Sequence, residues 1–99
     1  MLHIVNKSPF QTGTLESCLR MAQPGSAVLL IEDGIYAATV GSGTETRVRQ
    51  ACASVKFYAL QPDMDARGVT AKLIDGVSLV DYSGFVDLTL EYSTSHSWL

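Results

Sequence analysis

The run Ala27-Val28-Leu29-Leu30-Ile31 limits the fold more than any other stretch of the chain. A continuous apolar run of strand length leaves neither face polar, which suits a strand covered on both sides, as in a parallel sheet. Parallel neighbours cannot be joined by tight hairpins and need long crossovers, usually helical. The flanking segments must therefore supply strands alternating with helices.

They have that pattern. Leu2-His3-Ile4-Val5-Asn6 opens as a strand, and Ser8-Pro9 stops it, because proline lacks a ladder N–H and biases its predecessor away from helix. Leu15, Cys18, Leu19 and Ala22 fall at the spacing of an amphipathic helix, which Thr12 or Thr14 can cap and Pro24-Gly25 ends. After the apolar run, Glu32-Asp33-Gly34 turns the chain and Ile35-Tyr36-Ala37-Ala38 begins a short helix. A helix from Thr44 to about Ser54 places Val48, Ala51, Cys52 and Val55 on one face, so Cys52 is expected in core packing. Lys56-Phe57-Tyr58-Ala59-Leu60 is the third strand, and a short helix through Met64 to Arg67 stops at Gly68. Lys72-Leu73-Ile74 is a brief extended piece and Val77-Ser78-Leu79-Val80 a fourth strand. Phe85, Leu88, Thr89 and Tyr92 define the last helix, and Ser93 to Leu99 forms a polar tail with an apolar end. The expected fold class is α/β: one domain over residues 1–99, three layers (α/β/α), around a mainly parallel sheet of four to five strands.

Composition narrows the function classes. Charged residues make up 17% of the chain and hydrophobic ones 46%, against about 25% charged in typical soluble domains. A chain of 99 residues has little interior per unit of surface, so part of this apolar excess is expected against partner subunits. A net charge of −3 with scattered Lys and Arg argues against direct nucleic-acid binding. Lys7 is followed by Ser-Pro-Phe-Gln-Thr-Gly rather than an apolar run, and no stretch approaches the about 20 apolar residues of a membrane span. Cytoplasmic localisation, free thiols and a chance sequon at Asn6-Lys7-Ser8 are the expectations.

Few residues carry chemistry. Gly41-Ser42-Gly43 lacks the third glycine and the leading strand of a dinucleotide fingerprint. With only His3 and His96 and no ligand-spaced cluster, neither a metal nor a cofactor is expected. His3 is expected as a hydrogen-bonded, half-buried strand residue. Glu32-Asp33, Asp63 and Asp81 follow strands, where carboxylates either line a ligand crevice or cap helices. That leaves Cys18 as the candidate catalytic residue. In or near the first turn of its helix, unpaired N–H groups favour the thiolate, the nucleophile of sulfur chemistry, whereas its apolar stripe equally fits a buried thiol.

Several stretches taken together are similar to the DsrH/TusB family. They are Met1-Leu2-His3 with Ser8-Pro9-Phe10, Leu30-Ile31-Glu32-Asp33-Gly34-Ile35-Tyr36-Ala37-Ala38, Tyr58-Ala59-Leu60, Asp63 with Ala66-Arg67-Gly68, Val80-Asp81-Tyr82 with Phe85-Val86, and Trp98. The resemblance implies a DsrE/DsrF/DsrH-like fold and one subunit of a cytosolic sulfur-relay hetero-hexamer. Its partners would be DsrE/TusD-like and DsrF/TusC-like subunits, with a DsrC/TusE-like protein as sulfur acceptor. Glu16-Ser17-Cys18-Leu19 looks like the DsrH branch, which makes persulfide transfer to DsrC in dissimilatory sulfur oxidation the leading expectation. In that reading Cys18 carries persulfide as a sulfurtransferase residue, assisted by Ser17 or Arg20, although the family's main carrier cysteine lies on the DsrE/TusD-like partner. The alternatives are a non-catalytic structural subunit and a TusB-type subunit in 2-thiolation of the tRNA wobble uridine.

Overall fold

The computed structural model describes residues 1–98. Five parallel strands form one sheet: β1 (Leu2–Val5), β2 (Ala27–Leu30), β3 (Lys56–Leu60), β4 (Val77–Val80) and β5 (Ser95–Trp98), in the order β4-β3-β2-β1-β5. The crossovers carry α1 (Thr14–Met21), α2 (Glu45–Ala51), α3 (Gln61–Ala66) and α4 (Tyr82–Glu91), with 3₁₀ segments at Glu32–Ala38 and Thr70–Lys72. This is the α/β fold with a parallel sheet that the alternation of apolar runs and helical stripes predicts.

Register divides the strand residues between two cores. Val5, Val28, Leu30, Phe57, Ala59 and Val77 point to the larger one, where Leu15, Cys18 and Leu19 of α1, Val48 of α2 and Met64 of α3 close over them. Leu2, Ala27 and Leu29 point the other way, and Leu88 of α4 buries against them. Every residue of β2 is buried, so the apolar run occupies the central, doubly covered strand. A leucine there contributes about 2 kcal/mol through burial.

Three local expectations are corrected. The segment at 32–38 is a 3₁₀ helix starting at Glu32, earlier than the Ile35 start. Leu73 makes one antiparallel bridge to Thr39 in place of an extended piece. The polar tail is a strand: Ser95, His96, Ser97 and Trp98 pair in parallel with Leu2, His3, Ile4 and Val5. An edge strand needs only one hydrogen-bonded flank, and Ser95, His96 and Ser97 stay exposed, so no apolar run marks it. Leu99, the end of the expected tail, lies outside the described residues.

Trp98 fixes that edge. Its Nε1–H donates to His3 Nδ1 at 3.0 Å, and its ring and that of His96 pack in a T-shaped arrangement at a centroid distance of 4.7 Å. His3 is 3% exposed, so the hydrogen-bonded expectation holds, with fuller burial than half. Burial, then the amino terminus and His96, lower its pKa from 6.5. The native state therefore favours neutral His3, while the unfolded chain takes up the proton first as pH falls. Stability from this group is complete above pH 6.5 and is lost on acidification below it. Trp98 is the chain's one tryptophan, so its fluorescence is expected to change on titration below that pH. Trp98→Phe is expected to cost about 1 kcal/mol and to leave a weaker acid dependence of stability. An unchanged denaturation profile in the variant would refute the coupling.

Candidate functional site

Cys18 is set by α1, which buries Leu15, Cys18 and Leu19 as one stripe. Gly13 stands at the N-cap position with no side-chain cap, and Thr12 Oγ1 accepts the Thr14 N–H at 3.4 Å from one residue further out. The expected threonine cap is thus displaced outward. Since the helix begins at Thr14, Cys18 lies beyond the first turn, whose N–H groups alone are unpaired.

Its surroundings reverse the expected ionisation. Cys18 is 0% exposed, and burial pushes its thiol from 9.0 up to about 12. A charge among aliphatic side chains loses hydration that nothing there replaces, so the proton is retained. The thiolate expectation for Cys18 is corrected on this point: in the folded chain the sulfur is protonated and enclosed. Ser17 and Arg20 do not converge on it. Together with Met21 and Trp98 they line a shallow depression of about 430 Å³ on the surface.

Cys52 occupies the C-cap of α2, half-buried, with its Sγ 3.9 Å from the Gly76 carbonyl oxygen. It packs against the larger core, as expected. It also borders an open cavity of about 540 Å³ with Ser54, Lys56, Tyr58 and Ser78. Burial raises this thiol too, with Arg49 pulling the other way.

The carboxylates that follow the strands are engaged in structure. Asp81 Oδ1 accepts the Gly84 N–H at 2.8 Å and caps α4. Asp63 Oδ2 accepts the Glu32 N–H at 2.6 Å. Arg67 donates to Asp33 Oδ1 at 3.0 Å and to the Asp63 carbonyl at 3.3 Å. These bonds hold the turn after β2, in which Glu32 adopts φ 49°, a left-handed conformation that costs a non-glycine residue about 1 kcal/mol. Gly34 follows because its backbone lies against Val5: a Cβ there would stand 3.0 Å from the Val5 carbonyl carbon and nearer still to its oxygen. Glu32-Asp33-Gly34 and Asp63 with Arg67 are thus two halves of one clamp across the C-terminal edge of the sheet. Their shared role was not visible in the sequence, since 34 positions separate Asp33 from Arg67.

Among the described residues no group of three His, Cys, Asp or Glu side chains is placed to hold a metal ion, and no helix is long and apolar enough to cross a membrane. The fold and its edges define a small α/β protein whose strand-end carboxylates Asp33, Asp63 and Asp81 are hydrogen-bonded within the fold. The family model described as DsrH like protein matches residues 7–95. The chain is 37% identical to the protein TusB of Pectobacterium parmentieri over 98 residues, covering 99% of this chain and all of that one. It is 36% identical to the protein TusB of Escherichia coli strain K12 over the same shares. The crystal structure of the ychN protein from E. coli superposes with a TM-score of 0.84 at 22% identity, over 97% of each chain. The chain belongs to the DsrH/TusB family, whose members are sulfur-relay subunits.

Proposed function

We propose that this chain is a TusB-type subunit of a sulfur-relay complex serving 2-thiolation of the tRNA wobble uridine, and that its own role is architectural. The observation that carries the reading is the full-length likeness to TusB proteins, 37% identical from end to end. Burial of Cys18 with its raised thiol supports the architectural part. A persulfide carrier must attack as a thiolate and must be reached by its acceptor. The chain holds Cys18 in neither condition, and the residues of the C-terminal edge are engaged in holding the turn after β2. The persulfide then resides on a cysteine of the DsrE/TusD-like partner, as the family resemblance implies, and a TusE-like acceptor takes it onward. The net charge of −3 disfavours tRNA contact by this subunit, so its effect on the tRNA passes through the other proteins.

The test combines cells and the assembled complex. Loss of the gene should abolish tRNA 2-thiouridine, measured by mass spectrometry of tRNA hydrolysates, and Cys18→Ala should restore it. In the purified complex charged with a persulfide donor, labile sulfur should appear on a partner and not on this chain. Unchanged thiouridine in the deletion strain would overturn the pathway. A labile sulfur on this chain that disappears in Cys18→Ala would overturn the architectural role and favour the DsrH-type reading, with delivery to DsrC in sulfur oxidation.

A further inference from the structure

The smaller core is closed by α4 alone among the described residues. Four spacings of about 4.8 Å make a five-stranded sheet roughly 19 Å across, whereas one helix covers about 10 Å. Ile4, Ile31, Tyr58 and Val80 accordingly remain half-buried on this side. The helix itself is apolar on two sides. Phe85, Leu88 and Tyr92 face the sheet, while Tyr82, Val86 and Leu90 are 63%, 54% and 79% exposed. Those three are spaced i, i+4, i+8, a single outward stripe. A surface helix normally turns its apolar side chains to the core, so an exposed apolar stripe beside the core-facing one calls for cover. On the same side of the sheet, Ser78, Ser95 and Ser97 present small exposed polar groups beside these half-buried apolar side chains. An apolar centre with a polar rim has the anatomy of a protein interface.

Charge selects the occupant. The charged residues of α4 and its cap are Asp81, Asp87 and Glu91, and the helix carries no basic residue. Lys56 of β3 lies near Tyr92, at the inner side of the helix. An isologous dimer would bring the acids of two copies together. A membrane surface, itself anionic, would repel them. We propose that the Tyr82–Val86–Leu90 stripe is the docking face for a different polypeptide, one presenting an apolar patch bordered by Lys or Arg. This rests on the reading of the chain as a subunit of a relay complex and identifies the side from which the complex is built.

The test co-expresses the full chain with its DsrE/TusD-like and DsrF/TusC-like partners and measures association by affinity capture and sedimentation. Val86→Asp with Leu90→Asp should weaken association at least about tenfold, with the circular dichroism of the isolated chain unchanged, since both side chains are exposed. Met21→Asp, on exposed apolar surface of α1 across the sheet, should assemble like the wild type. Asp87→Lys with Glu91→Lys should also weaken association, and rising salt should weaken the wild-type complex. Normal assembly of the Val86→Asp, Leu90→Asp variant, or its loss in Met21→Asp instead, overturns the docking face and leaves the relay reading standing. A wild-type homodimer abolished by the double variant overturns the choice of occupant. A wild-type chain that binds neither partner overturns the relay reading, and the docking proposal with it.

Discussion

Gly34→Ala is expected to destabilise the fold by about 3 kcal/mol, the upper end of overpacking costs, and to lower the melting temperature of a domain this size by about 15 °C. The added methyl meets the Val5 carbonyl and, at 3.4 Å, the Asn6 Cα. Both are backbone atoms at the end of a strand paired on two sides, so neither can swing away as a flexible side chain would. Relief must come from moving the turn after β2, which breaks the bond from Glu32 N–H to Asp63. The effect is steric and not conformational, because Gly34 is not among the glycines with positive φ. Gly13→Ala is the matched control: it adds a methyl with nothing within 4 Å, at an ordinary φ of −86°, and should change stability by less than about 1 kcal/mol. Urea denaturation of both variants decides it. Equal midpoints would mean that the turn is not pressed against β1.

Cys18 is expected to resist alkylation about a thousandfold beyond an ordinary thiol, from ionisation alone. A rise from 9.0 to about 12 is three pH units, and each unit removes nine-tenths of the remaining thiolate near neutrality. Enclosure adds to this, so native labelling with iodoacetamide should proceed at Cys52 first and reach Cys18 only through unfolding. Peptide mass mapping over time, with and without urea, gives both rates. Comparable native rates at the two cysteines would refute the enclosed site. The same group sets a pH dependence: above pH 9.0 the unfolded chain releases this proton while the folded one keeps it, so stability declines from there towards pH 12. Cys18→Ala should remove that decline. Cys18→Ser should cost about 1–3 kcal/mol, because a buried hydroxyl needs a partner more than a thiol does.

The sequence was most legible where burial imposes a pattern. The run at 27–31 marked the central strand because both its faces are covered, and the stripe of Leu15, Cys18 and Leu19 marked α1 because one face is. Spacing located the thiol but not its charge state. Cys18 would stand in the first turn if the helix began three positions later, and only the start at Thr14, with its cap at Gly13, places it beyond that turn. The strand at Ser95–Trp98 was hidden for the opposite reason. Its stability comes from backbone pairing with β1 and from one tryptophan, neither of which leaves a local pattern. Long-range pairing of Asp33 with Arg67 and of Glu32 with Asp63 was likewise invisible, since each half has an ordinary local reading as a turn or cap. Family resemblance singled out both halves without giving the reason for them, and the geometry of the clamp supplies it.

Because β1 sits between β2 and β5, it waits for the last of the described strands before its second flank is filled. Nascent chains must therefore carry an open, hydrogen-bond-hungry edge from the emergence of β1 to that of β5, a period in which unpaired strands invite misassembly. A fusion partner joined at the carboxyl end should lengthen that exposure less than one that physically holds the final residues away from the amino terminus.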